Sequence, residues 1–262
     1  MSEPHAPAAG EVILRTDGLT KRFDGLTAVD NVTIRIEAGE FRSVIGPNGA
    51  GKTTLFHLLS GALSPTAGTI SFRGSDITAQ SPARRVARGL ARSFQLTTVF
   101  DGLSVRENVR LAVQSGLYDD LSARQRFLAD PAEIESIMDR TARVLERVGL
   151  AELADSTASD LSYGDRRRLE IGLVLASDPL IVLLDEPTAG MGGEETARTI
   201  ELIEDVLADR TLLLVEHDID LVMRISDRIT VLNDGGVIAT DPPAAIADDD
   251  RVREAYLGGY ER

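Results

Sequence analysis

Apolar residues recur along the chain with two spacings, one typical of strands and one typical of helices. Residues 12–16 and 32–36 alternate apolar and polar positions, as half-buried strands do. Residues 41–45 (FRSVI) form an apolar run interrupted by two polar residues, which indicates a buried strand. Residues 54–60 (TLFHLLS) have helical spacing and end at Gly61, a residue suited to a helix C-cap.

Shorter elements follow this helix. The pattern predicts a turn at 66–68, a strand at 69–72 and another strand at 90–94. Between the two strands a helix is expected to begin at Pro82, with Ser81 as its N-cap.

Strand signals disappear between about residues 104 and 153. Ser104 and Glu107 have the spacing of a capping box, and apolar residues then recur at helical spacing to residue 148. We therefore expect an inserted α-helical subdomain, at about residues 97–178. A further long helix is expected at 166–176.

The rest of the chain alternates apolar runs of strand length with helical patterns. The expected strands are 180–184 (LIVLL), 211–215 (TLLLV), 229–232 and 237–240, the last two joined by a hairpin turn at 235–236. The expected helices are 194–207 and the tail 243–257. This alternation implies an α/β core with a largely parallel sheet.

Composition adds limits on the class of protein. The chain has 262 residues, 43% of them hydrophobic, which is enough for a sizeable core. None of its apolar runs approaches the ~18 residues of a membrane span. Residues 1–10 lack the basic and apolar regions of a secretory signal and are expected to form a disordered tail. The absence of cysteine excludes disulfides, thiolate metal sites and cysteine nucleophiles within this chain.

The formal net charge is −14, from 28 basic and 42 acidic residues. This balance argues against a nucleic-acid partner, because the chain has no basic stripe to neutralise phosphates. Lysine occurs only at Lys21 and Lys52, and aspartate is abundant, as at 248–250. We favour adaptation to a cytosol of high salt, a halophilic bias, over the alternative of an ordinary acidic protein from a GC-rich genome.

The clearest candidate for chemistry lies between the buried strand at 41–45 and the helix after it. The phosphate-binding pattern G-x-x-x-x-G-K-[ST] is matched without a mismatch by Gly46, Pro47, Asn48, Gly49, Ala50, Gly51, Lys52 and Thr53. Glycines let backbone N–H groups approach an anion, and the helix N-terminus adds further donors. Lys52 is expected to reach the β- and γ-phosphates, and the Thr53 hydroxyl to bind Mg²⁺. The alternative is a glycine-rich turn that binds nothing, and the strand–loop–helix context disfavours it.

Asp185 and Glu186 follow the apolar strand at 180–184. An unpaired carboxylate at the end of a buried strand is costly, and binding Mg²⁺, directly or through water, would resolve that cost. Glu186 is placed to act as a general base on an attacking water. The alternative is that both carboxylates merely cap the strand, which the upstream phosphate loop disfavours.

Two more polar residues lie after predicted strands. Gln95 follows the strand at 90–94, and its amide suits contact with both a metal ion and a water. His217 follows the strand at 211–215, where it could donate a hydrogen bond to a γ-phosphate. Each residue alone is weak evidence, because a single glutamine or histidine at a strand end is more often inert.

Taken in order, these elements resemble the ATP-binding subunit of ABC transporters, over about residues 12–257. Five ordered elements carry the resemblance: the P-loop at 46–53, the glutamine loop Ser93-Phe94-Gln95, the signature Leu161-Ser162-Tyr163-Gly164-Asp165, the segment Leu183-Leu184-Asp185-Glu186-Pro187, and the switch histidine His217.

The resemblance implies a P-loop NTPase core with a mainly parallel sheet, an N-terminal antiparallel β subdomain and the inserted helical subdomain, within one ABC ATPase domain at 11–262. It implies ATP hydrolysis with Mg²⁺ held by Thr53, Gln95 and Asp185. The implied catalytic residues are Glu186, His217, Gln95 and Lys52. Besides the P-loop, the implied nucleotide contacts are Thr54 and Phe23, the latter stacking on adenine.

The same resemblance implies partners. Ser162 and Gly164 would contact the γ-phosphate held by a second ABC ATPase chain, either a copy or a paralogue. Transmembrane permeases would bind the segment 104–153 together with the loop after Gln95, at the cytoplasmic face of the membrane. A solute-binding protein would be an indirect partner.

Two departures from the family pattern stand out. Tyr163 and Asp165 replace the usual glycine and glutamine of the signature, although Ser162 and Gly164 are kept. The loop at 189–192 lacks the usual aspartate that touches the other subunit, which puts the communication between two sites in doubt.

Other residues narrow the subfamily. Tyr163, the run 167–171 (RRLEI), Ala189-Gly190 and the ending Ala255-Tyr256-Leu257-Gly258 resemble importers of branched-chain amino acids. The related urea importers share Ala189-Gly190-Met191 and Glu194-Glu195-Thr196, so urea or short amides rank second. A soluble ABC ATPase of an assembly system, such as iron–sulfur cluster biogenesis, is an alternative from another class. A translation-associated ABC protein is disfavoured because the chain is acidic and has one nucleotide site.

Overall fold

The computed structural model describes residues 10–93, 99–118 and 131–257. The chain divides into two compact units. The first unit contains the residues up to Arg85, the segment Leu180–Pro187 and all residues from Asp209 onward. The second unit contains Val86–Pro179 and Thr188–Ala208. Among the helices of the described residues, none is long and apolar enough to cross a membrane.

The strands are numbered in chain order. They are β1 (Val12–Phe23), β2 (Leu26–Val32), β3 (Arg35–Glu37), β4 (Phe41–Ile45), β5 (Ala67–Phe72), β6 (Ser75–Asp76), β7 (Leu90–Ser93), β8 (Ile181–Asp185), β9 (Thr211–Val215), β10 (Arg228–Asn233) and β11 (Gly236–Asp241).

The α-helices are numbered in the same way. They are α1 (Lys52–Ser60), α2 (Pro82–Ala87), α3 (Val105–Tyr118), α4 (Pro131–Arg147), α5 (Tyr163–Leu175), α6 (Gly193–Val206), α7 (Ile219–Ile225), α8 (Pro243–Asp248) and α9 (Asp250–Leu257). Two short 3₁₀ turns lie at Ala151–Leu153 and Ala158–Asp160.

The first unit contains an antiparallel sheet in the order β2-β1-β5-β6, with β3 also paired to β1. A two-residue turn, Asp24-Gly25, joins β1 to β2, and both residues have positive φ (35° and 99°). Such turns fit the twist of a hairpin, and glycine adopts positive φ at little cost. Leu14, Ile36 and Phe72 bury their side chains on this sheet.

The same unit contains a parallel sheet, in which β10, β4, β9 and β8 are neighbours in that order and β11 pairs antiparallel with β10. Every residue of β8 and β9 is buried, as expected of parallel strands covered on both faces. These two sheets confirm the predicted α/β class, with an antiparallel sheet near the N-terminus and a mainly parallel core sheet.

The second unit is built mainly from helices. Helix α3 packs against α4 and α5. The predicted capping box begins α3: the Ser104 N–H donates to Glu107 Oε2 at 2.8 Å, and the Glu107 N–H donates to Ser104 Oγ at 3.1 Å. Accepting the Ser104 N–H lowers the pKa of the Glu107 carboxyl, because the hydrogen bond favours its ionised form.

Several predicted elements were wrong in their extent. Strand β1 continues to Phe23 instead of ending near residue 16. Residues 32–36 are not one strand, because β2 ends at Val32 and β3 begins at Arg35. Residues 67–68 belong to β5 rather than to a turn, because Ala67 pairs with Thr20 of β1. The tail is not one helix, because Asp249 has extended backbone angles and its carboxylate accepts the Arg251 N–H at 2.8 Å, separating α8 from α9.

Helix starts also differ from the predictions. Helix α1 begins at Lys52 and α5 at Tyr163, each earlier than its apolar pattern indicates. The first turn of a helix is often polar, so hydrophobic spacing does not reveal it. The predicted disordered tail lies, apart from Gly10, outside the described residues.

Candidate functional site

Three neighbouring parallel strands, β4, β9 and β8, end at the same edge of the sheet in the first unit. The predicted phosphate loop follows β4, His217 follows β9, and Asp185 is the last residue of β8. Because parallel strands place their carboxyl ends together, residues far apart in the sequence meet at this edge. This is the edge at which ligands bind in open α/β sheets.

The phosphate loop has a backbone that requires glycine at two positions. Gly46 has φ 155°, and a Cβ added there would lie 2.2 Å from the Leu232 carbonyl oxygen. Gly51 has φ 97°, and an added Cβ would lie 2.2 Å from the Ala28 carbonyl oxygen. Gly49 is exposed, with open space around its Cα. The loop thus packs tightly on one side and presents its backbone to solvent on the other.

Lys52 lies across this loop and is only 6% exposed. Its Nζ donates to the Gly46 carbonyl oxygen at 2.6 Å and to the Pro47 carbonyl oxygen at 3.1 Å. Burial lowers the pKa of Lys52, and the nearby negative charge of Glu186 opposes that shift. The ammonium group is therefore held at the loop by carbonyl oxygens, next to the end of β8.

Asp185 and Glu186 differ in environment although they are adjacent. Asp185 is 4% exposed at the end of β8, whereas the Glu186 side chain is 35% exposed. Glu186 has φ 48°, a left-handed conformation uncommon for this residue type, and its N–H donates to the Val215 carbonyl oxygen at 2.9 Å. That conformation turns the chain out of the strand.

The turn brings Glu186 to His217. Glu186 Oε1 lies 2.6 Å from His217 Nε2, a hydrogen bond between residues that follow adjacent strands. The His217 side chain is half exposed, and the backbone N–H of His217 donates to Glu216 Oε2 at 3.0 Å. The structure therefore joins the predicted base to the predicted switch histidine, with Lys52 in electrostatic range of the same carboxylate.

Oxygen donors suited to a hard cation are present at the same edge. The Thr53 side chain is exposed in the first turn of α1, the Asp185 carboxylate ends β8, and α1 packs against β8. Hydroxyl and carboxylate oxygens are ligands that Mg²⁺ accepts, usually together with phosphate oxygens and water. The donor set fits Mg²⁺. The third predicted metal ligand, Gln95, lies outside the described residues.

The signature residues belong to the second unit. Ser162 is the N-cap of α5: its Oγ accepts the Asp165 N–H at 3.2 Å and donates to Asp165 Oδ2 at 2.6 Å. Gly164 has open space around its Cα, and Tyr163 is 59% exposed. Ser162 and Gly164 thus lie at an accessible helix N-terminus, where N–H groups favour anions.

Phe23 lies at the end of β1 and is 41% exposed. The Nζ of Lys21 lies 5.0 Å from the centre of its ring, a cation–π distance. The ring is therefore accessible to a stacking partner, as the adenine prediction requires.

Sequence reasoning missed the residues that support the phosphate loop from behind. The Gly235 N–H donates to the Ala50 carbonyl oxygen at 3.2 Å, and the Tyr256 ring packs against a buried cluster that includes Ile45, the residue before Gly46. The sequence signal for Gly235 was the predicted hairpin turn at 235–236. Tyr256 was noticed only as part of a family resemblance.

Comparison with protein families gives two matches. Residues 29–189 match the family model described as ABC transporter. Residues 237–262 match the model described as Branched-chain amino acid ATP-binding cassette transporter. The two matches do not overlap, and the second covers β11 and the C-terminal helices.

Curated relatives are similar over nearly the whole chain. A high-affinity branched-chain amino acid transport ATP-binding protein, LivG of Salmonella typhimurium, is 43% identical over 253 residues, which cover 94% of this chain and 98% of that protein. The corresponding protein BraF of Pseudomonas aeruginosa is 41% identical, with the same coverage.

Solved structures agree in fold. The structure described as the ADP conformation of MJ1267, an ATP-binding cassette of an ABC transporter, matches with a TM-score of 0.78 and 29% identity, covering 95% of this chain and 99% of that one. A nucleotide-free cassette from an ABC transporter matches with a TM-score of 0.76, covering 94% and 99%.

Proposed function

The chain belongs to the ABC transporter family, and from this membership we propose that it is the ATP-hydrolysing subunit of an importer of branched-chain amino acids. The observation that supports ATP hydrolysis is that Lys52, Glu186 and His217 lie together at one edge of the parallel sheet. The relatives named above, together with the C-terminal match at 237–262, favour branched-chain amino acids over urea or short amides as the solute.

In this proposal, the N–H groups of the loop 46–53 and the start of α1 hold the phosphates of ATP. Lys52 exchanges its two carbonyl partners for phosphate oxygens, and Phe23 stacks on the adenine. Thr53, Asp185 and Gln95 would hold Mg²⁺, which when bound neutralises charge on the phosphate oxygens.

Glu186 accepts the proton of the attacking water. Its hydrogen bond to His217 is 2.6 Å long, so the histidine orients the carboxylate. When ATP enters, His217 donates to the γ-phosphate instead, which leaves the carboxylate to the water. In this arrangement Glu186 positions the water and His217 positions the γ-phosphate.

A second ATPase chain, either a copy or a paralogue, completes the site with its Ser162 and Gly164. The loop 46–53 contacts one side of the triphosphate, and the charge that develops on the other side needs its own donors. A serine hydroxyl and the N–H groups at the start of α5 supply them. The pair of chains binds transmembrane permeases at the cytoplasmic face of the membrane, and a solute-binding protein delivers the solute.

The first test of this function is Glu186→Gln. The amide keeps the shape of the side chain but cannot accept the proton, so turnover should fall roughly a hundredfold or more while ATP binding stays near normal. ATP-bound dimers should accumulate, which size-exclusion chromatography would detect. Hydrolysis at the wild-type rate would show that Glu186 is not the base.

The shared site is tested by Ser162→Arg. The variant should lose turnover while an isolated monomer still binds ATP at its own phosphate loop. Loss of ATP binding in that monomer would contradict the shared site, because Ser162 would then act within its own chain.

The solute is tested in cells by uptake of labelled compounds. Glu186→Gln should abolish uptake of labelled leucine and leave uptake of labelled urea unchanged. Loss of urea uptake with unchanged leucine uptake would instead support the alternative that the solute is urea.

A further inference from the structure

The hydroxyl of Ser162 is engaged by a residue of its own chain. Ser162 is the N-cap of α5, and its Oγ accepts the Asp165 N–H at 3.2 Å. The same hydroxyl donates to Asp165 Oδ2 at 2.6 Å, a length typical of a hydrogen bond between a hydroxyl and an ionised carboxylate. Asp165 therefore binds the Ser162 side chain twice, once through its backbone and once through its carboxylate.

A serine hydroxyl has one hydrogen to donate. In the proposed function, Ser162 donates that hydrogen to the γ-phosphate held by the second ATPase chain. A single hydrogen cannot serve two acceptors at full strength, so the Asp165 carboxylate and the γ-phosphate compete for it. The contact with the phosphate forms only after the 2.6 Å bond to Asp165 has been broken.

The two acceptors also compete for the start of α5. Tyr163 and Gly164 are exposed in its first turn, and the first N–H groups of a helix have no carbonyl partner within it. These donors and the positive end of the helix dipole favour an anion. The Asp165 carboxylate lies in the same turn and already supplies a negative charge there, which repels a phosphate that approaches the same donors.

We propose that Asp165 is a positioning residue that weakens the closure of the shared site: its carboxylate occupies the Ser162 hydroxyl, and the γ-phosphate of the other chain must displace it. The proposal rests on the proposed function, because it concerns the same shared site. It also gives a physical meaning to one departure from the family pattern. A glutamine amide at this position carries no charge, so it accepts the hydroxyl less strongly and does not repel the phosphate.

The contacts between Ser162 and Asp165 also stabilise α5, because they cap its N-terminus. Removing the carboxylate should therefore lower the Tm slightly. A purely structural role predicts that the same change weakens the ATP-bound dimer, whereas competition with the γ-phosphate predicts that it tightens the dimer. The direction of the change in dimer affinity thus separates the two roles.

The test is Asp165→Asn in the Glu186→Gln chain, which is expected to accumulate as ATP-bound dimers. Sedimentation over a range of protein concentrations, with saturating ATP and Mg²⁺, should give a dimer Kd roughly tenfold lower than that of Glu186→Gln alone. The Kd of the dilute monomer for ATP should stay within about twofold, because Asp165 acts on the nucleotide of the other chain. Asp165→Gln should shift the dimer Kd in the same direction. Where the partner is a paralogue, the measurement is made with the ATPase chain that copurifies.

The matched control is Asp160→Asn in the same Glu186→Gln chain. Asp160 is exposed, lies two residues before Ser162, and accepts a hydrogen bond from the Ser159 hydroxyl at 3.2 Å. The variant removes one negative charge near α5 and leaves the Ser162 hydroxyl with Asp165. Its dimer Kd should stay within about twofold of the Glu186→Gln value, because salt screens charges that are not in contact.

Two results would overturn the inference while the proposed function stands. A dimer Kd that is unchanged or higher in Asp165→Asn would show that the carboxylate does not compete with the γ-phosphate. An equal gain in Asp160→Asn would assign the effect to net charge. If Glu186→Gln formed no ATP-bound dimer, either with a copy or with a copurifying chain, the shared site of the proposed function would be wrong, and this inference with it.

Discussion

Arg85, on α2, carries a guanidinium that is buried beneath the helix following the phosphate loop, with 1% of the residue exposed. Its Nη1 donates to the carbonyl oxygens of Leu58 and Leu59 at 2.7 and 2.6 Å, in the last turn of α1. Its other nitrogens donate to the carbonyl oxygens of Thr78 and Gln80. Burial lowers the pKa of Arg85 to about 10, so it stays charged at neutral pH. A cation at this end also complements the dipole of α1.

We predict that Arg85→Met lowers the free energy of unfolding by roughly 3 kcal/mol. The substitution removes the guanidinium donor from four carbonyl oxygens, those of Leu58 and Leu59 in the last turn of α1 and those of Thr78 and Gln80. Each buried group that is left unsatisfied costs about 1–3 kcal/mol before relaxation. Urea denaturation measures the change as a lower midpoint at an unchanged slope.

The control for this prediction is Arg84→Ala, the exposed arginine beside Arg85 on α2. It removes a similar cation without touching α1, and we expect a change within about 0.5 kcal/mol. Equal losses in the two variants would mean that charge, rather than the buried hydrogen bonds, stabilises α1.

Arg85 and Tyr256 are residues whose contacts could not be predicted from the sequence. The loop 46–53 and the pair Asp185–Glu186 could be predicted because their signal is local: a fixed spacing, or a carboxylate after an apolar run. Arg85 looks like any surface arginine on a helix, and its partner Leu59 is 26 residues away. Such residues are recognised only when the fold brings their partners together.

At the scale of elements, strands and helices with a strong hydrophobic period were predicted well. Strands β4 and β9 have the predicted bounds, because their runs are apolar and enclosed by turns. The break at Asp249 was missed, because one aspartate that caps the next helix leaves the surrounding apolar pattern intact. The helical subdomain boundary at about 97–178 stays a prediction.

Helix α4 exposes two large apolar side chains, Ile134 at 49% and Met138 at 57%. They are four residues apart, so both lie on one face of the helix. The neighbouring helix α3 exposes Leu111 at 38%. Exposed apolar side chains at helical spacing are typical of a surface that a partner helix covers, which supports the predicted docking of a permease on the segment 104–153.

We predict that the double variant Ile134→Ser and Met138→Ser copurifies with the permease subunits in a smaller yield than wild type. Both side chains are already exposed, so the Tm of the isolated chain should change little. The control is Glu135→Ser with Asp139→Ser, an exposed polar pair at the same spacing on the same helix. Wild-type yield in the apolar variant, or equal loss in the control, would place the permease contact elsewhere.

For the whole molecule, the dominant physical feature is its charge. The chain carries a net charge of −14, and its acidic residues include many exposed ones, such as Glu201 and Glu204 on α6. Like charges on a compact surface repel one another, and the repulsion is strongest at low ionic strength, where the Debye length is about 30 Å at 0.01 M. Near 1 M salt the length falls to about 3 Å, so distant charges no longer interact.

We therefore predict that the Tm rises between dilute buffer and molar KCl, as expected if the acidic, lysine-poor surface is an adaptation to salt. The ion pairs of the surface oppose this trend only weakly, because exposed pairs contribute little at any salt concentration. The matched control is Glu201→Gln with Glu204→Gln, which keeps helix propensity and removes two negative charges. Its Tm should start higher in dilute buffer and rise less with KCl, because there is less repulsion to screen. A wild-type Tm that stays flat or falls over this range would rule the adaptation out. A rise of the same size in the control would assign the gain to ion exclusion from the surface rather than to charge screening.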